Sequence, residues 1–270
     1  LPAYLAAIVL LAVAFLTTAL ASAHAERAGL LAIVALALTG IAVAVEAATA
    51  VVNTIITRSV APHPLPSLDL AKGVPSDLRT LVAVPVLLHE PSVILHQIEQ
   101  LEVHHLSSAG GALHYALLSD FSDAGAESSK DEGALKDLAL DAIRRLNTLY
   151  PSEDGARFFF LHRDRQWNPS EGVWMGWERK RGKLMELNRL LRGAQDTSFT
   201  VQSSPVPQDI RYVITLDADT RLLRDTVHKL IGKMAHPLNH PRFSQSANRV
   251  TDGYGIMQPR VSAALPLGAD

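Results

Sequence analysis

Two carboxylates in the stretch Leu216-Asp217-Ala218-Asp219-Thr220 carry the first chemistry of this chain. They follow the apolar run Tyr212-Val213-Ile214-Thr215-Leu216, which predicts a buried strand. Aspartates at i and i+2, where a strand gives way to a loop, can turn toward one divalent cation. Hard oxygen ligands suit Mg²⁺ or Mn²⁺, and such a metal usually shares its shell with substrate phosphates. Asp217 and Asp219 are therefore the candidate metal ligands, and Asp217 also faces any bound donor.

Two earlier segments carry complementary groups. Residues 118–123, LSDFSD, put the Asp120 carboxylate just after an apolar strand. There it can accept hydrogen bonds from a uracil N–H or a ribose hydroxyl, although a turn-forming Asp reads the same way. Residues 178–183, ERKRGK, gather cations around a Gly at a helix start. Arg181 and Lys183 there form a candidate diphosphate site, while a solvated basic face is the plain alternative. Trp167, Trp174 and Trp177 crowd the same region. Sugars pack on indole faces, so Trp174 and Trp177 are candidates for a sugar-binding wall, with core packing equally open; Trp167 is expected in the core.

The elements that must position these groups follow from periodicity. Strands are expected over 81–88, 114–118, 157–161, 211–216 and 255–258. Helices are expected over 92–106, 135–149, 179–191 and 226–234. Such alternation predicts an α/β fold with a mainly parallel three-layer sheet, whose ligands bind beyond the carboxyl ends of the strands. Asp120 and the Asp217/Asp219 pair both sit at such ends. The histidines do not add a site. His104 and His105 are adjacent and share no helix face, while Pro237 and Pro241 interrupt the helix that His236 and His240 would need.

The N-terminal quarter is different material. Residues 1–23 hold no charge and residues 28–57 only Glu46. Each run exceeds the roughly 20 residues that cross a bilayer core. With the short connector HAER at 24–27, they predict a transmembrane helical hairpin in a lipid bilayer. Glu46 should then face protein or mark the edge of the hydrocarbon zone. Residues 1–60 form this membrane part, 61–77 (opening APHPLP) a Pro-rich linker, and 78–270 the α/β domain. The chain has 270 residues, a net charge of −2 and no Cys, which excludes a nucleic-acid footprint, a disulfide scaffold and thiolate metal sites. It starts at Leu1 and stops at Asp270 without a closing signal, so it reads as a piece of a longer protein, with the domain incomplete at its C-terminus.

The order strand–Asp, basic Gly-Lys helix, strand–DxD resembles that of GT-A (Rossmann-like) nucleotide-sugar transferases. More closely, residues 165–192, RQWNPSEGVWMGWERKRGKLMELNRLLR, resemble bacterial cyclic β-1,2-glucan synthases, as do LSDFSD at 118–123, ITLDADT at 214–220 and IMQPR at 256–260. The resemblance implies UDP-glucose as donor, a divalent metal, and a growing β-1,2-glucan as acceptor. It also implies a multi-pass anchor in the bacterial inner membrane with the catalytic domain on the cytoplasmic side. Asp120 then matches the aspartate that contacts uridine, Lys183 the lysine by the donor phosphates, and Asp217/Asp219 the metal pair. Inversion at glucose needs a general base, expected beyond Asp270. One departure follows strand one, where related transferases carry a Pro-x-Tyr-Asn-Glu-like turn. Residues 85–90 read PVLLHE, without Tyr, and no nucleotide role is assigned to His89 or Glu90. Three rival readings are a processive cellulose- or hyaluronan-type synthase, a haloacid-dehalogenase-type phosphatase, and a membrane-anchored module that only binds a nucleotide. The phosphatase motif wants Thr or Val where Arg221 stands.

Overall fold

The computed structural model describes residues 1–60, 64–108, 110–207 and 209–261. It divides into two units, Leu1–Pro64 and Leu65–Asp270.

The first unit is a hairpin of α1 (Pro2–Ala25) and α2 (Leu30–Ser59). Both helices are long and apolar enough to cross a membrane. They meet through small side chains, Ala12 against Ala44 and Ala48, and a Cβ on Gly40 would lie 3.0 Å from the Leu16 side chain. Small residues let the backbones approach, which is how apolar helices pack when solvent does not drive them together. Thr18, Thr39 and Thr54 donate their hydroxyls to the carbonyls of Ala14, Ala35 and Ala50, at 2.7, 2.8 and 2.7 Å. Each hydroxyl is thus satisfied within its own helix, as an apolar surrounding requires. Leu10, Leu31 and Leu38 are 72, 86 and 71% exposed on the outer faces, and Glu46 is exposed as well.

The second unit is built on a five-stranded sheet. Its elements run β1 (Thr80–Leu88), α3 (Pro91–Ser107), β2 (Leu113–Phe121), α4 (Glu132–Leu149), β3 (Phe158–Arg163), β4 (Gln166–Asn168), β5 (Val173–Met175), α5 (Arg179–Leu190), β6 (Phe199–Gln202), β7 (Tyr212–Thr215), α6 (Thr226–Ala235), β8 (Arg242–Ser244) and β9 (Arg249–Asp252). Strand order is β6-β3-β2-β1-β7, with β6 antiparallel and the rest parallel. Alternate residues feed opposite faces. Val82, Val84, Tyr115, Leu117, Phe158 and Phe160 pack with Ile98, Ile143 and Ile231 of α3, α4 and α6. Leu81, Ala83, Ala116, Leu118, Phe159 and Leu161 pack on the other side with Leu187 of α5. Burial on both faces explains why these strands read as unbroken apolar runs. The expected α/β architecture is therefore present. The order reverses between β1 and β7, which opens a crevice at the carboxyl ends of those strands.

Three expectations are corrected. Residues 255–258 are not a strand: Gly253 turns the chain out of β9 at φ 71°, and Ile256 is 89% exposed with no neighbouring strand. A polar, exposed hairpin of β8 and β9 stands just before them instead, and its pattern carries no apolar alternation. Asp120 lies inside β2 rather than beyond it. The second half of the expected linker belongs to the domain, since Leu70 and Val74 are in the main core and the Leu68 amide bonds the Gly232 carbonyl at 3.0 Å. Residues 61–63, the start of that linker, lie outside the described residues.

Gly111 is what lets this segment close onto β2. Its φ is 76°, and a Cβ there would lie 2.1 Å from the Val74 carbonyl oxygen. Gly111→Ala is expected to lose about 2–4 kcal/mol of stability, read as a lowered unfolding midpoint. Gly125→Ala, where a Cβ meets nothing within 4 Å, serves as the neutral control.

Candidate functional site

Four buried charges cluster at the floor of the crevice, which two of them, Asp120 and Lys183, line directly. Register pairs Asp120 of β2 with Arg163 of β3. The guanidinium grips the carboxylate through two parallel bonds, Nε to Oδ1 at 2.8 Å and Nη2 to Oδ2 at 2.9 Å. The Lys183 ammonium approaches Oδ2 at 3.1 Å from α5. On the far side, Glu186 lies 3.7 Å from Arg163 and accepts from the Ser198 amide at 2.9 Å. Arg163 is fully buried, Asp120 and Lys183 are 2% exposed and Glu186 6%. Charges this deep hold only when paired and fully hydrogen-bonded. Burial pulls the Lys183 ammonium down to about 8, against the opposing pull of Asp120. Its remaining protons go to the carbonyls of Val86, at 2.7 Å, and Leu118, at 3.3 Å.

Arg163 also shapes what stands above the floor. Its Nη1 and Nη2 donate to the carbonyls of Trp177 and Arg179, at 3.2 and 3.1 Å. These carbonyls belong to the turn that enters α5, where Glu178 and Arg179 both hold positive φ, 51° and 46°. Two non-glycine residues in that region cost on the order of 1–3 kcal/mol each. Glycines permit the close approach: a Cβ on Gly176 would sit 2.7 Å from Asp120, and one on Gly182 would sit 2.0 Å from the Trp177 carbonyl. The turn projects Arg179 and Lys180 over the crevice. Arg179 bonds Asp123 at 2.9 Å and Glu171 at 2.6 Å, and these carboxylates raise its already high pKa.

Above the floor lies a cleft of about 590 Å³. Val86 and Leu87 of β1, Asp120 and Phe121 of β2, Gly176, Arg179, Lys180, Lys183 and Ala218 line it. Ala218 brings the Asp217–Asp219 loop to its rim. Asp217 and Asp219 are both exposed, and Asp217 is ion-paired with Lys180. A protein cation thus already rests on one carboxylate of the pair. No group of three or more His, Cys, Asp or Glu side chains fit to hold a metal occurs among the described residues. Two carboxylates with the rest of the shell left to water and phosphate is the usual coordination of Mg²⁺. The donor set therefore fits a divalent cation.

Not every expected residue comes to the cleft. Arg181 turns outward, its side chain 78% exposed, and pairs with Glu178 at 2.9 Å. Trp167 is not a core residue: it is 49% exposed on the β4–β5 hairpin, opposite Trp174, their rings 5.9 Å apart. A three-residue strand offers it no interior to enter. Trp177 is 39% exposed and Trp174 half-buried. Trp174 is pinned by two backbone bonds to Ala124, both 2.9 Å, so the hairpin is tied to the loop after β2. A Ser119–His162–Asp164 line resembles a hydrolase triad, with Ser119 Oγ 2.8 Å from His162 Nδ1. Both Ser119 and His162 are fully buried, so no substrate reaches them. Burial also holds the His162 imidazole down to about 4, and hence neutral.

Arg163, Arg179 and Lys180 are functional candidates that sequence reasoning passed over. For Arg163 the available signal was an arginine closing a largely apolar strand, FFFLHR, which must find a buried carboxylate.

No family model matches the chain. Over 225 residues, 83% of its length, it is 44% identical to the curated cyclic beta-(1,2)-glucan synthase NdvB of Rhizobium meliloti (strain 1021). The match spans 8% of the length of that protein. The resemblance to cyclic β-1,2-glucan synthases carried by the motifs thus extends across the floor, the α5 turn and the DxD loop, as a likeness to one segment of a far longer synthase.

Proposed function

We propose that the Leu65–Asp270 unit is the donor-binding part of a glycosyltransferase acting in cyclic β-1,2-glucan synthesis, with UDP-glucose as donor. The observation that carries this reading is the shared crevice: Asp120, the cations of α5 and the Asp217–Asp219 loop all meet one cleft at the strand carboxyl ends. The sequence likeness to a glucan synthase points the same way.

In this reading Asp120 faces the uridine. Its carboxylate keeps about one acceptor site beyond those taken by Arg163 and Lys183. Lys183 has its protons committed to protein acceptors, so it supplies positive potential beneath the diphosphate rather than a direct bond. Arg179 and Lys180 take the phosphate-facing place expected of Arg181. Asp217 and Asp219 would hold Mg²⁺ or Mn²⁺, which would supply charge neutralisation for the leaving UDP. In the transfer, an acceptor hydroxyl oxygen bonds to glucose C1 as the C1–O bond to UDP breaks. UDP leaves with the electron pair, and the hydroxyl proton passes to a general base. Exposed Trp177, with Trp174 and Trp167 on the hairpin, offers a wall for glucose rings. The apolar hairpin of α1 and α2 anchors the chain in a bilayer.

Calorimetry of UDP-glucose binding tests this directly. Affinity should rise at least about tenfold with Mn²⁺ and exceed that for ADP-glucose. Asp219→Ala should remove the metal dependence while leaving the fold intact, since that side chain is exposed. Equal binding of uracil and adenine sugar nucleotides, or no metal effect in the unmodified chain, would overturn the reading.

Asp120 needs a separate comparison because it supports the fold as well. Asp120→Ala strands two buried cations and should cost about 3–5 kcal/mol of stability. Asp120→Asn keeps the shape and should fold better. At a temperature where it is folded, its preference for uracil over adenine donors should fall while metal dependence persists.

A further inference from the structure

Among the described residues, Lys180 is the cation that both lines the cleft and pairs with the Asp217–Asp219 loop. It lines the cleft beside Arg179 and Lys183, yet its ammonium is spent on Asp217. Its side chain is 55% exposed and that of Asp217 62%, so the pair is solvated and its net strength is small. A divalent cation on Asp217 and Asp219 carries twice the charge and would displace it. The backbone around Lys180 is not free to drift, because Glu178 and Arg179 are locked at positive φ by the Arg163 bonds to their turn. The displaced ammonium therefore stays within side-chain reach of the cleft.

We propose that Lys180 is a placeholder cation: it neutralises Asp217 in the metal-free protein, and on metal binding it swings to the donor diphosphate. This rests on the donor-site reading above and adds a coupling to it. The charge that leaves the carboxylate is the charge that arrives at the phosphate, so metal and donor each ease binding of the other. Metal-free protein would hold its phosphate-binding lysine out of use. The same lysine would keep the aspartate loop from remaining an uncompensated negative rim.

The test uses Mn²⁺ and UDP as probes on the whole chain in detergent, comparing the unmodified protein with Lys180→Met and Lys180→Arg. Mn²⁺ binding without nucleotide is followed by electron paramagnetic resonance. Lys180→Met should bind Mn²⁺ about fivefold more tightly, because its competitor is gone. In saturating Mn²⁺ the same variant should bind UDP about tenfold more weakly, because a charged phosphate contact is lost. Lys180→Arg should shift both affinities less. Opposite changes in the two affinities are the signature, since a merely structural lysine would move neither or weaken both. If the unmodified protein binds Mn²⁺ and UDP and Lys180→Met alters neither, the placeholder role falls and the donor site stands. If the unmodified protein binds neither probe, the donor-site reading falls and Lys180 with it.

Discussion

The bidentate grip of Arg163 on Asp120 is the constraint on which the rest of the site depends. It is set by strand register, which places the two residues side by side at the ends of β2 and β3. Once both are buried, neither can stand alone, and their neighbours follow from that. Lys183 is drawn under Asp120 and Glu186 balances Arg163, so the buried set of two cations and two carboxylates is neutral. The remaining guanidinium protons are then claimed by the carbonyls of Trp177 and Arg179. One side chain thus fixes both the floor of the cleft and the turn that forms its lip.

That lip is where the fold spends conformational energy. A helix could start at Glu178 without strain, but Glu178 and Arg179 instead take left-handed geometry. Such residues persist only where surroundings over-determine them. Here Arg163 bonds the carbonyls of the turn, and Gly176 and Gly182 leave room for it to lie against Asp120 and Trp177. The product is a helix start that presents Arg179 and Lys180 over the crevice while Arg181 turns to solvent and pairs with Glu178.

Much of this was legible in the residues. Apolar runs ending in Asp120 and in Asp217 announced strands with carboxylates at their carboxyl ends, and helical spacing fixed α3 to α6 closely. The parts that were not legible share a cause: they depend on neighbours distant in sequence. The Arg163–Asp120 bond comes from register between strands, which no local pattern encodes. Within ERKRGK, composition showed a basic cluster but not its geometry, so Arg181 looked as able as Lys180. The left-handed turn decides between them. Trp167 looked like a core residue by type, yet its three-residue strand forms a hairpin outside the sheet. Leu70 and Val74 sit in a segment whose prolines read as linker, and only the core they join reveals them as part of the domain.

The site divides into two electrostatic layers with different tasks. In the lower layer every charge is buried and matched, so it can be neither rearranged nor screened cheaply; its geometry is fixed before any ligand arrives. In the proposed donor site that is the property a base-selecting surface would need. In the upper layer Asp217, Asp219, Arg179 and Lys180 are exposed, and their pairings exchange at little cost. In the proposed donor site that would suit a rim where a metal and a diphosphate enter and leave. Under the proposed function, two rigid layers would trap UDP among fixed cations, and two soft ones would bind one nucleotide like another. Placing the bidentate, fully buried arginine below and the solvated lysine above would let the proposed donor cleft be selective at its floor and reversible at its rim.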